Sequence, residues 1–168
     1  MSRVTLVLGG ARSGKSRFAE SLGEGVAGVR TYIATAEAFD DEMRDRIARH
    51  KQQRAGAGWT SIEAPLDPVA ALRAAQGFVL MDCVTVWLGN LMHHERDIRT
   101  AVAELCLLIK DAPQRIVLVS NEVGLSIVPE NAMARRFRDE QGFANQRIAD
   151  VVDEVFFVAA GLPLKLKG

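Results

Sequence analysis

Eight residues near the start of the chain, Gly9-Gly10-Ala11-Arg12-Ser13-Gly14-Lys15-Ser16, fit the spacing G-x-x-x-x-G-K-[ST] at every fixed position. Glycines let such a loop curl so that successive backbone N–H groups point inward, and a following helix start adds its partial positive charge. A lysine at the position of Lys15 reaches the outer phosphates of a nucleotide, and a hydroxyl at Ser16 can ligate Mg²⁺. The spacing therefore predicts binding of a nucleoside polyphosphate. It does not say what is done with it.

Two further residues could do chemistry. Phe78-Val79-Leu80-Met81-Asp82 is an apolar run that ends in a carboxylate, and an acid at a buried strand's end can hold Mg²⁺ directly or through water. An acid there can equally cap the next helix. His50 shares one face of a helix with Met43 and Ile47 by 3.6-residue spacing, among the cations Arg49, Lys51 and Arg54. Spacing alone leaves His50 open between a partly buried core residue, a partner for the helix dipole and a functional group. The pair His93-His94 beside Glu95 invites a metal reading, but adjacent residues point to different helix faces, so a solvated helix end is expected.

These groups need elements to hold them. Val4-Thr5-Leu6-Val7-Leu8 predicts a buried strand leading into the glycine loop, and Arg17 to Leu22 suits the first helix. Further strands are expected at Arg30–Thr35, Thr60–Glu63, Phe78–Asp82, Arg115–Ser120 and Val155–Ala159, with Leu162–Lys167 as a short antiparallel finish. Helices are expected over Asp40–Arg54, from Asp67-Pro68 onward, over Val84–Glu95 and Asp97–Asp111, and from about Asn131 to Val152, where Gly142 interrupts and could kink the run. Acids open the Asp40–Arg54 segment and bases close it, which complements the helix dipole. Strands alternating with helices argue for an α/β three-layer sandwich, a mainly parallel sheet with helices on both faces. Its ligands are expected at the carboxyl ends of the strands.

The whole chain narrows the function classes. Its 168 residues suit a single domain, 1–168, and a 48% hydrophobic composition supports a sizeable core. Lys+Arg and Asp+Glu both number 21, so the basic excess of a protein that grips nucleic acid is missing and a small-molecule substrate is favoured. Cys83 and Cys106 lie far apart and offer neither a metal knuckle nor a disulfide scaffold. The start of the chain reads as a strand rather than a leader, and no apolar run approaches membrane-spanning length, so a cytoplasmic setting is expected.

Several blocks taken together resemble one family. Besides the glycine loop these are Tyr32-Ile33-Ala34-Thr35, Asp40-Asp41-Glu42-Met43 with Arg46-Ile47 and His50-Lys51, Asn121-Glu122-Val123-Gly124, Ile127-Val128-Pro129-Glu130-Asn131, Arg136-Phe137-Arg138-Asp139 and Asn145-Gln146. The chain is similar, from the first strand to the C-terminus, to the bifunctional adenosylcobinamide kinase / adenosylcobinamide-phosphate guanylyltransferases of cobalamin biosynthesis. Members often carry Gly before Ile-Val-Pro where this chain has Ser126, a difference that bears on loop conformation and on no catalytic residue. The resemblance implies a P-loop NTPase-type fold and two reactions. In the first, a nucleoside triphosphate such as ATP or GTP phosphorylates adenosylcobinamide. In the second, GTP gives GMP to adenosylcobinamide phosphate through a GMP-histidine, and pyrophosphate leaves. His50 matches that histidine, and a neutral imidazole is a competent nucleophile toward phosphorus. By the same matching, nucleotide contacts fall on Gly9 to Ser16, on Ile33, Ala34 and Thr35, on Lys51, Gln52, Gln53 and Arg54, and on Glu63 and Asp82. Either carboxylate could accept hydrogen bonds from guanine or ribose. Mg²⁺ would be held at Ser16 and Asp82, and the family's assembly implies a homotrimer.

Two rivals stand beside this reading. Another small-molecule kinase on the same scaffold would form no nucleotidyl adduct. A GTP-dependent switch without enzymatic function would carry N-K-x-D after a strand, where this chain has Ser120-Asn121-Glu122-Val123.

Overall fold

Each inner strand of the central sheet alternates its side chains between two apolar layers, which is why these strands read as nearly continuous hydrophobic runs. A computed structural model describes residues 3–168; the first two residues of the expected 1–168 domain lie outside it. The elements are β1 (Val4–Gly9), α1 (Lys15–Ser21), β2 (Arg30–Ala34), α2 (Asp41–Gly56), β3 (Thr60–Glu63), α3 (Pro68–Ala74), β4 (Phe78–Asp82), α4 (Val84–His93), α5 (Ile98–Lys110), β5 (Arg115–Asn121), α6 (Ala132–Val151), β6 (Glu154–Ala159) and β7 (Leu162–Lys167). The sheet order is β3-β2-β4-β5-β1-β6-β7. All pairings are parallel except β6 with β7. This is the expected α/β architecture with its antiparallel finish.

One layer joins Leu6, Ile33, Met81 and Leu118 to Trp87, Leu105 and Ile148 of α4, α5 and α6. The other joins Val7, Tyr32, Leu80, Val119 and Val158 to Ala19 of α1. Alternation therefore sends Tyr32, Ala34 and Asp82 to the α1 face. Register completes the placement, because Ala34 pairs with Asp82 across β2 and β4. Helix starts follow their caps: Asp40, Asp67, Asp97 and Asn131 each accept a backbone N–H three residues on.

Two expectations are corrected. Helix α6 runs unbroken through Gly142, around which a Cβ would meet nothing within 4 Å, so the glycine does not interrupt the helix. The segment around His50 buries no residue at all, so its apolar stripe is not a core face.

Candidate active site

The phosphate-loop sequence folds as its stereochemistry requires. Gly9 ends β1 where a Cβ would come within 2.5 Å of Ser13 Oγ and 2.7 Å of the Val158 carbonyl. Gly14 has φ +91°, the left-handed region, and leads directly into α1. A turn closes the loop through Ser13 N–H donating to Gly10 O at 3.3 Å, and the Lys15 ammonium donates to Gly10 O at 3.1 Å. The Ser13 hydroxyl is buried without a hydrogen-bond partner. A buried hydroxyl in that state is costly on its own, and it fits a loop that surrounds a hydrogen-bonding ligand.

Sequence reasoning missed the loop's brace. The β6–β7 turn donates Gly161 N–H to Ser13 O at 2.7 Å, and a Cβ on Gly14 would stand 3.0 Å from Gly161 Cα. Ser13 and Gly161, 148 positions apart, thus set the loop's shape together, and no local pattern announces that.

Beside the loop, on the α1 face, lies a cavity of about 690 Å³. Its floor is formed by Ser16, Glu20, Tyr32 and Asp82, and one wall by Met43, Ile47 and His50 of α2. The stripe read from spacing as a possible core face is this wall. His50 is exposed and faces the cavity that Ser16 floors.

Of the expected nucleotide contacts, Gly9, Gly10, Ala11, Arg12, Ser13, Gly14 and Lys15 form the loop and lie outside the cavity lining, and the others divide into three groups. Ala34, Thr35, Gln53, Arg54 and Asp82 line the cavity together with Ser16 and His50. Ile33 is fully buried in the opposite layer, which leaves only its backbone at this end. Lys51, Gln52 and Glu63 are exposed outside the lining, and Lys51 Nζ pairs with Glu63 Oε1 at 3.3 Å. The Thr35 hydroxyl accepts Cys83 N–H and donates to Cys83 O, both at 2.8 Å, so it ties β2 to β4.

Asp82 dominates the floor. The Tyr32 phenol donates to Asp82 Oδ2 at 2.7 Å, which orients the carboxylate and leaves Oδ1 available. Burial, and then the charge on Asp82, push the Tyr32 phenol up, and the same two causes push the Cys83 thiol up to about 11. Burial and Asp82 also raise the Glu20 carboxyl above its ordinary value, opposed by the Arg54 guanidinium. Burial is the larger cause in all three, and the Asp82 charge adds to it in each, so Asp82 is the anion this floor offers to a cation. Among the described residues no group of three or more His, Cys, Asp or Glu could hold a metal ion. Mg²⁺ needs no such cage, since it takes one or two protein oxygens and completes its shell with phosphates and water. Ser16 Oγ and Asp82 fit that requirement.

The α2 wall is held by polar contacts. Arg54 stacks on the Tyr32 ring at 4.1 Å and donates from Nε to Ser61 Oγ at 3.2 Å, and Arg30 donates to Ala57 O at 2.6 Å. The segment leading into α2 is fastened to the end of α4, where His94 Nε2 lies 3.2 Å from both Glu37 oxygens and Phe39 stacks edgewise on His93. The histidine pair, expected to be merely solvated, thus holds the loop that carries α2. Glu20 also escaped sequence reasoning, although it follows Ser16 by four residues and so shares its helix face.

Among the described residues no helix is long and apolar enough to cross a membrane. An ATPase of the type III secretion system of pathogenic bacteria superposes on 97% of this chain with a TM-score of 0.51 at 12% identity. The match covers 56% of that protein, and at this identity it speaks for the fold alone. Sequence relatives are much nearer. The bifunctional adenosylcobalamin biosynthesis protein CobP of Pseudomonas aeruginosa is 46% identical over 168 residues, covering 97% of this chain and 96% of its own. The corresponding CobU of Salmonella typhimurium is 42% identical over 180 residues, covering 96% of this chain and 98% of its own. A profile of one family matches residues 5–166, nearly the whole chain. The chain belongs to the cobinamide kinase / cobinamide phosphate guanyltransferase family.

Proposed function

We propose that the protein phosphorylates adenosylcobinamide with ATP or GTP and then transfers GMP from GTP to the resulting phosphate, using His50 as the nucleotide carrier. One observation carries the proposal: the exposed imidazole of His50 and the Ser16 end of the phosphate loop face the same cavity.

In the nucleotidyl step the loop amides and Lys15 hold the β- and γ-phosphates. A nitrogen of His50 attacks the α-phosphorus, the bond to the bridging oxygen breaks, and pyrophosphate leaves with the electron pair. The resulting phosphoramidate is attacked by a phosphate oxygen of adenosylcobinamide phosphate; its P–N bond breaks and His50 is regenerated. The cations Arg46 and Arg54, which line the cavity, offset the charge gathered at phosphorus. Mg²⁺, held at Ser16 and Asp82, would supply charge neutralisation between the phosphates. Glu63, already paired with Lys51, remains a candidate for reading guanine or ribose at the rim.

The reading extends to the cytoplasm and to a homotrimer; apolar side chains that stand exposed at Leu125, Ile127, Leu162 and Leu164 support self-association. The test is product analysis. Protein, adenosylcobinamide, ATP and Mg²⁺ should yield adenosylcobinamide phosphate, and added GTP should convert it to adenosylcobinamide-GDP with release of pyrophosphate. A protein that makes neither product contradicts the proposal.

A further inference from the structure

The two reactions ask for different nucleophiles. A neutral imidazole nitrogen or an ionised phosphate oxygen attacks with a free electron pair and has no proton to give up. An alcohol must lose its proton as it attacks, and near neutral pH that calls for a placed acceptor. Phosphorylation therefore needs a group that nucleotidyl transfer does without.

Three carboxylates line the cavity: Glu20, Glu37 and Asp82. Glu37 is engaged by His94 through both oxygens at 3.2 Å. Asp82 receives the Tyr32 phenol at 2.7 Å and stands where a cation is favoured. The Glu20 carboxylate accepts no side-chain or backbone hydrogen bond among the described residues, and its charged neighbours are Asp82, Arg54 and Glu24. It lies one helical turn past Ser16 on the same face of α1, half-buried at the cavity floor. Helical side chains lean toward the N-terminus, which aims Glu20 back at the end of the phosphate loop. The residue after Asp82 is Cys83, whose Sγ accepts Val86 N–H, so β4 supplies no second acid there.

We infer that Glu20 is the proton acceptor for the alcohol in the phosphorylation half of the cycle, a catalytic residue that the nucleotidyl half does not use. The inference rests on the two-reaction reading above. The step balances as follows: the substrate hydroxyl proton passes to a Glu20 oxygen as the alcohol oxygen bonds to the γ-phosphorus. The bond from that phosphorus to the β-bridging oxygen breaks, and the nucleoside diphosphate leaves with the electron pair. Glu20 then returns the proton to water.

The experiment measures phosphorylation of adenosylcobinamide and formation of the covalent GMP adduct side by side in Glu20→Gln, which keeps volume and removes the charge. Turnover in phosphorylation is expected to fall by roughly 100-fold or more, as loss of a positioned base does. The KM for the nucleotide and the rate of adduct formation should stay within about threefold of the unsubstituted protein, the scatter expected when no transition-state contact is lost. Glu20→Asp, a carboxylate of shorter reach, is the second variant; with an intact thermal transition it should recover part of the phosphorylation, again with the adduct unchanged. Phosphorylation within threefold of normal in Glu20→Gln would overturn the inference. So would phosphorylation and adduct formation falling together in a folded variant, because Glu20 would then serve the shared phosphate site. Failure of the two-reaction reading shows elsewhere, as missing products from the unsubstituted protein.

Discussion

The two ends of the cavity are built in opposite ways. At the phosphate loop, Gly9 lacks room for a methyl group, Gly14 needs left-handed backbone, and Gly161 braces the loop from the far end of the chain. At the other end α2 buries none of its residues, and polar contacts through Arg54, Lys51 and Arg30 attach it. On the proposed mechanism the loop would grip a triphosphate in both reactions and gain from rigidity. On the same mechanism the helix would present a nucleophile that meets one phosphorus and then another, and a lightly held element is suited to that.

The largest expected effect tests whether one loop serves both reactions. Lys15→Ala should lower phosphorylation and adduct formation together, each by about 100-fold or more, the cost typical of removing one aimed donor. A loss confined to one reaction would split the loop's role and break the comparison.

Next in size is the contrast in tolerance to a methyl group. Gly9→Ala should destabilise the fold by roughly 1–3 kcal/mol, because the neighbours at 2.5 and 2.7 Å include backbone. Gly56→Ala, at the end of α2 with nothing within 4 Å, should be neutral or stabilising by up to about 1 kcal/mol. Denaturant midpoints read both. Equal destabilisation would mean that α2 is packed as tightly as the loop.

A smaller effect should reach His50 without reaching the loop. Asp40 caps α2 by accepting Met43 N–H at 2.7 Å, so Asp40→Ala should cost about 1 kcal/mol, felt in the helix. Adduct formation should slow several-fold while phosphorylation holds. Hydrogen exchange across Asp41–Gly56 against exchange at Val4–Gly9 would check where the cost falls.

The smallest effect concerns the brace. Lys165, donating at 2.8 Å, and Arg3 hold the Glu154 carboxyl below its ordinary value of 4.5. A folded value below the unfolded one means that this stabilisation is complete above the unfolded value and is lost as pH falls through the folded one. Glu154→Gln should therefore lower stability slightly in the neutral range and converge with the unsubstituted protein below the folded value, so that the acid limb flattens, as read by thermal melts. An unchanged acid limb would assign that loss of stability to other carboxylates.

These differences also explain what could be read from sequence. The loop at residues 9–16 was legible because its glycines answer local backbone demands, and β4 ended at Asp82 as expected because a continuous apolar run is a local signal too. The helix carrying His50 was legible through Asp40 and the acids after it. Whether Met43, Ile47 and His50 met a core or a cavity was not, since spacing defines a face without saying what lies opposite. The Gly161 brace and the His94–Glu37 contact join distant segments, so they emerge only from the fold. Glu20 was within reach of helix periodicity; its charge gave no signal until Tyr32 and Asp82 were seen beside it.

The account stands on the loop and His50 working on one nucleotide. The direct measurement is incubation with GTP labelled at the α-phosphate or at the γ-phosphate, followed by acid and alkali treatment and mapping of the labelled residue. The account predicts label from the α position only, lost in acid, kept in alkali, mapped to His50 and absent from His50→Ala. Label that persists in His50→Ala, or that arrives from the γ position, would contradict it.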